Sequence, residues 1–103
     1  MSAVQGTGYA CYMRVKVLPD RREEFLSLVL QLRADVQREL ASVVFYEFLA
    51  TGNPLEFVFM LGFEDEAAYQ QYADAPFHLA MAPLGWACLD GEPHIEFLRP
   101  AVK

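Results

Sequence analysis

The chain has no basic run. Eight Lys and Arg are scattered against fourteen Asp and Glu, giving a net charge of −6. Nothing here would follow a phosphate backbone, so nucleic acid is not an expected partner. No apolar stretch reaches the ~18 residues of a membrane span, so no membrane partner is expected either. Residues 1–8 are small and mostly polar, without the basic and apolar regions of a signal peptide. The expected location is therefore the cytoplasm. There are only two cysteines, Cys11 and Cys88, too far apart to match a metal or redox spacing. Buried, reduced thiols are the expectation, and no metal or other cofactor is implied. Repeats, low-complexity tracts and linkers are also missing. This suits one domain over residues 9–103, after a flexible tail over residues 1–8.

What the chain has in abundance is apolar surface. Hydrophobic residues make up 54% and aromatics 14%, with eight Phe and five Tyr in 103 residues. Folding a chain of this mass should reduce roughly 17,000 Å² of surface to roughly 6,000 Å², enough for a modest core. Two stretches stand out: Val43-Val44-Phe45-Tyr46-Glu47-Phe48-Leu49-Ala50 and Phe57-Val58-Phe59-Met60-Leu61-Gly62-Phe63. Side chains in a strand alternate between faces. A strand with one wet face should therefore alternate apolar and polar, and these barely do.

The remaining pattern supplies the other elements. Tyr9 to Leu18 alternates, with Tyr9, Cys11, Met13, Val15 and Val17 on one side and Tyr12, Arg14 and Lys16 on the other. Pro19-Asp20 stops this strand, with Asp20 as a candidate N-cap and Glu23 completing a capping box. Phe25, Leu28, Val29, Leu32, Val36 and Leu40 then recur at helical spacing, predicting a helix over 21–39. Thr51-Gly52-Asn53-Pro54 is a turn, so the two apolar strands form a hairpin. Glu64-Asp65-Glu66 opens a second helix ending near Asp74. Ala75-Pro76 breaks it, and a further helical piece runs from Phe77 to about Leu84. Asp90-Gly91 turns the chain into a last strand over 93–99.

This order, β-α-β-β-α-β, is the α+β ferredoxin-like arrangement. Both helical segments would cover one face of a four-stranded antiparallel sheet. The other face would be bare over roughly 500 Å² in plan, near the limit for a monomer. A homodimer packed sheet to sheet is the expected remedy.

Several segments, in order, resemble the antibiotic biosynthesis monooxygenase family of dimeric α/β-barrel proteins. They are Val15-Lys16-Val17-Leu18-Pro19-Asp20-Arg21-Arg22-Glu23-Glu24-Phe25, the pair Phe45-Tyr46-Glu47 and Phe57-Val58-Phe59, then Phe63-Glu64-Asp65-Glu66-Ala67-Ala68-Tyr69, and lastly Ala75-Pro76-Phe77-His78. Some members oxidise quinols or polycyclic phenols with O₂, without metal or flavin. The resemblance thus implies a cofactor-independent monooxygenase acting on a quinol or aromatic polyketide-like molecule. Such chemistry needs a proton acceptor, donors for a developing oxyanion and a dry cavity. The chain departs from the family pattern in two places. Tyr72 stands where a His is common in the second helix. Ala75-Pro76-Phe77-His78 replaces the usual Ser-Pro-His-Phe.

His78 is the sharpest catalytic candidate, since imidazole titrates near neutrality. The alternative is a hydrogen-bonded histidine at a helix start. Tyr72 is the second catalytic candidate. Tyr46, Arg14, Trp86 and Phe77 are the expected substrate contacts. Against these stand plainer readings: core aromatics for the tyrosines, a packing plug for Trp86 and an ion pair for Arg14. Glu47, the one charge in an apolar strand, would need a partner if buried. His94 and Glu96 share a strand face but are too few for a metal site. Competing functions are a non-enzymatic ligand-binding or accessory barrel, an isomerase and a haem-degrading enzyme. The last is disfavoured. It resembles a related family that needs an Asn on the first strand, a Trp near Tyr72 and a His near Met81-Ala82, and this chain has none of them.

Overall fold

The computed structural model describes residues 6–102. Eight elements follow in order: strand β1 (Tyr9–Lys16), a 3₁₀ turn (Pro19–Arg21), helix α1 (Arg22–Glu39), strands β2 (Val43–Ala50) and β3 (Glu56–Phe63), helices α2 (Glu66–Asp74) and α3 (Pro76–Trp86), and strand β4 (His94–Leu98). The sheet is antiparallel and open, in the order β2-β3-β1-β4. This is the expected ferredoxin-like α+β fold.

Register sorts the side chains into rows, because neighbours in antiparallel strands project to the same face. One row runs Tyr46–Leu61–Cys11–Phe97, and the next runs Phe48–Phe59–Met13–Ile95. These rows face the helices. Phe25, Val29 and Val36 of α1 and Ala68 and Tyr72 of α2 close over them, and all five are buried. The apolar stripe read from 25–40 is thus the core-facing side of α1. Phe25 touches the rings of Phe48, Phe57 and Phe59, with centroids 6.1–6.2 Å apart.

On the opposite face the rows are Phe45–Gly62–Ala10–Leu98, Glu47–Met60–Tyr12–Glu96 and Leu49–Val58–Arg14–His94. No described helix covers them. The first row carries no charge at all. A β-bulge between Val43 and Phe45 shifts the β2 register there. Phe45 then lies directly across Gly62, where an added Cβ would collide with its ring. Charge enters this face in the other two rows, with Glu47 and Glu96 in the middle one; Arg14 pairs with Glu56 at 2.9 Å and His94 with Glu96 at 3.2 Å.

Three local readings are corrected. Asp20 does not cap α1, because it sits inside the 3₁₀ turn and no side chain caps that helix start. Leu18 leaves the strand because Val17 bridges to Leu89 instead of extending β1. The third helix runs to Trp86 and takes in Pro83, which it tolerates in its final turn. By contrast α2 has a real cap: the Asp65 carboxylate accepts from the Ala68 N–H at 2.8 Å. Residues 1–5 of the expected tail lie outside the described residues. Gly8 is already tied by its N–H to the Phe63 carbonyl at 2.9 Å.

Candidate functional site

The helix layer does not sit flush on the sheet. Between them lies a cavity of about 160 Å³. Cys11, Met13 and Val15 of β1 and Phe59 and Leu61 of β3 form its sheet side, with Phe25, Leu28, Val29 and Leu32 of α1 opposite. Tyr46, Tyr69, Tyr72, His78, Met81, Ala82, Gly85, Trp86, Ile95 and Phe97 complete the wall. β4 is the edge strand and is exposed along its whole length, although Phe97 packs on Tyr69 of α2 with ring centroids 5.1 Å apart. Trp86, Ile95 and Phe97, all 41–45% exposed, therefore mark the mouth.

His78 stands at the third position of α3, after the Pro76 break. Its Nδ1 lies 3.0 Å from the Ala73 carbonyl. A carbonyl only accepts, so Nδ1 carries the proton and donates. The neutral ring then keeps its lone pair on Nε2. The Ala73 carbonyl is one of the last of α2, which has no intrahelical donor. One side chain thus closes the end of α2 and walls the cavity. Burial lowers the His78 pKa, and the bond to Ala73 opposes this in part. The ring is therefore a base that stays neutral below the usual imidazole range.

Tyr72 packs its ring against His78, with centroids 4.5 Å apart. The Tyr46 phenol lies close enough for each of the two to act on the other's ionisation. Burial drives both phenol pKa values far upward. Neither is a base near neutral pH, and both are neutral donors. For Tyr46 the Arg33 guanidinium works in the opposite direction, favouring negative charge. His78, Tyr72 and Tyr46 thus form one contiguous polar cluster in an otherwise apolar chamber.

The other expected contacts separate. Trp86 lines the mouth. Phe77 is half-buried and packs against the core without lining the cavity. Arg14 lies on the opposite sheet face, paired with Glu56. Glu47 is exposed on that face too, so it needs no buried partner within one protomer. Sequence reading missed Cys11, which lines the chamber and whose thiol is pushed up to about 11 by burial. It is a neutral thiol at physiological pH, not a nucleophile. Its inward place was legible from the alternation of β1, but nothing in the sequence marked a gap above it. Cys88 is fully buried, and both cysteines are free. Among the described residues, no group of three or more His, Cys, Asp or Glu is placed to hold a metal ion.

A small open α+β sandwich with an apolar chamber between sheet and helices is a known protein class. The chain belongs to the antibiotic biosynthesis monooxygenase family, whose model matches residues 8–84. Solved structures agree on the fold. A conserved protein from Methanosarcina mazei Go1 superposes with a TM-score of 0.83 at 21% identity, over 91% of this chain and 93% of its own. A candidate antibiotic biosynthesis monooxygenase from Caulobacter crescentus CB15 gives 0.86 at 18% identity, over 94% and 93%. Rv0793 from Mycobacterium tuberculosis gives 0.85 at 16% identity, over 94% and 98%. No curated protein matches the chain at a significant level.

Proposed function

We propose that this protein is a cofactor-independent monooxygenase that oxidises a phenolic small molecule, a quinol or an aromatic polyketide-like compound, with O₂. The observation that carries this is His78, a histidine whose Nε2 lone pair meets no partner among the described residues and stands on the wall of a largely apolar chamber with one mouth. In this reading the substrate hydroxyl gives its proton to Nε2. The resulting phenolate has electron density on its ring carbons, and one of them bonds to O₂. The ring peroxide takes the proton back from His78, and the hydroperoxide then loses its geminal C–H proton and the distal OH as water, leaving a second ring carbonyl. One oxygen atom stays on the product and the other leaves in water. Tyr72 and Tyr46, held neutral, donate to the developing oxygen charge. The apolar walls keep water from the electron-rich ring.

The test is O₂ consumption with a panel of hydroquinones. His78→Ala should lower the rate by about 10²–10⁴-fold, the usual contribution of a positioned general base. An unchanged rate in a folded His78→Ala protein would sink the assignment. A second reading, a ligand-binding barrel without catalysis, is favoured by the bond from His78 to Ala73, which gives that residue a structural task of its own. Micromolar phenol binding without turnover would select it. We further propose a homodimer through the uncovered sheet face. A cytoplasmic setting fits the two unpaired cysteines. No described helix is long and apolar enough to cross a membrane.

A further inference from the structure

We infer that the chamber is cut for a single aromatic ring: an uncharged monocyclic phenol or hydroquinone, with apolar substituents, rather than a fused polycycle. This rests on the reading of the site as phenol-binding and narrows it. Three observations carry it.

The first is size. The chamber holds about 160 Å³. An apolar cavity of roughly 150 Å³ accepts benzene. One ring with a methyl or hydroxyl group fits. Three fused rings need roughly twice that space at interior packing density. The inner wall cannot give way cheaply, because Phe25, Val29 and Phe59 are each no more than 5% exposed and are packed by their neighbours.

The second is charge. Among the described residues, no Asp, Glu, Lys or Arg lines the chamber. His78, the only titratable group there apart from tyrosines and a thiol, is held toward its neutral form. A carboxylate carried inside would lose its hydration and meet no counter-charge on the wall itself, since Arg33, which acts on Tyr46, stands outside the lining.

The third is the layout of polarity. Tyr46, Tyr72 and His78 are contiguous, through the phenol pair and the 4.5 Å ring contact. The remaining wall is aliphatic, aromatic or sulfur-bearing, apart from the Tyr69 phenol and the Trp86 indole. A ligand with one hydroxyl on this cluster must therefore be apolar over most of its flanks. A second hydroxyl fits where it points to Tyr69 or to the mouth by Trp86.

Anaerobic calorimetry separates binding from turnover. The probes are methylhydroquinone, its carboxylated counterpart 2,5-dihydroxybenzoate, and the three-ring 1,8-dihydroxyanthrone. Methylhydroquinone should bind tightest. The carboxylate should bind on the order of 10- to 100-fold more weakly, the range for burying an uncompensated polar group. The three-ring probe should be at least as poor. Ala82→Leu, which fills the chamber, should weaken methylhydroquinone at least tenfold with unchanged near-ultraviolet dichroism. Met81→Ala, which enlarges it, should improve binding of the three-ring probe. Equal or tighter binding of the polycycle or the carboxylate to the unaltered protein overturns the inference. Methylhydroquinone binding without O₂ uptake sinks the oxygenase reading and leaves the size rule standing. Turnover of the polycycle alone does the reverse. Binding of none of the probes defeats both.

Discussion

His78 has a direction of proton affinity as well as a place. Burial lowers its pKa from the ordinary value of about 6.5. A general base must be neutral to act. The kcat/KM of phenol oxidation should therefore rise with pH as His78 loses its proton. The midpoint should fall below that of a free imidazole, with a plateau by pH 7. A profile still climbing through pH 8 would assign the ionisation to another group. The tyrosine pair makes a separate prediction. Tyr46 and Tyr72 are each buried, and each phenol acts on the other. Tyr46→Phe or Tyr72→Phe alone strands a buried hydroxyl and should cost about 1–2 kcal/mol in urea unfolding. The double variant strands none, so it should cost no more than either single one. Additive losses would mean that the hydroxyls do not depend on each other.

At the scale of elements, the sequence was readable wherever period and burial agree. The α1 stripe from Phe25 to Leu40 and the alternation of β1 both placed their inward faces correctly, because one face of each meets the core. Legibility failed where tertiary geometry overrides local preference. Asp20 has the chemistry of a cap, yet Pro19 starts a 3₁₀ turn there and moves the helix start past it. The site was half legible. His78, Tyr72, Tyr46 and Trp86 could be picked out by residue type, and all four line the chamber. Arg14 was also picked by type, but its face is fixed by the register with Val58, which puts it on the other side of the sheet from the chamber. Cys11 and Met13 looked like ordinary core because a cavity has no sequence signal. Helix α3 offers a direct test of local energetics. Gly85 has nothing within 4 Å of where a Cβ would stand, and its backbone is not left-handed. Gly85→Ala should therefore stabilise the protein by about 0.4–1 kcal/mol, mostly by restricting the unfolded chain. A drop in the thermal midpoint would show that α3 needs that glycine for another reason.

For the whole molecule the governing fact is a sheet covered on one side. The protein measures 43 × 29 × 21 Å, and one broad side of its sheet carries Phe45, Leu49, Val58, Met60 and Leu98. Burying such a face on two protomers reaches the area of stable interfaces once side-chain relief is included. Sedimentation at micromolar concentration should give a dimer. Met60→Asp sets a second carboxylate beside Glu47 in the middle row and should yield a folded monomer. A compact monomer from the unaltered chain would refute the sheet-to-sheet dimer. The sheet order has one more consequence. Ala10 and Leu98 are direct partners across the β1–β4 ladder. Such partners are about 5 Å apart, so the polypeptide enters and leaves the sheet at one corner. A few linking residues would close the backbone into a ring without any strand changing neighbours. The ring could then be reopened at the exposed Gly52–Pro54 turn. Where this fold is cut is thus separable from how it packs.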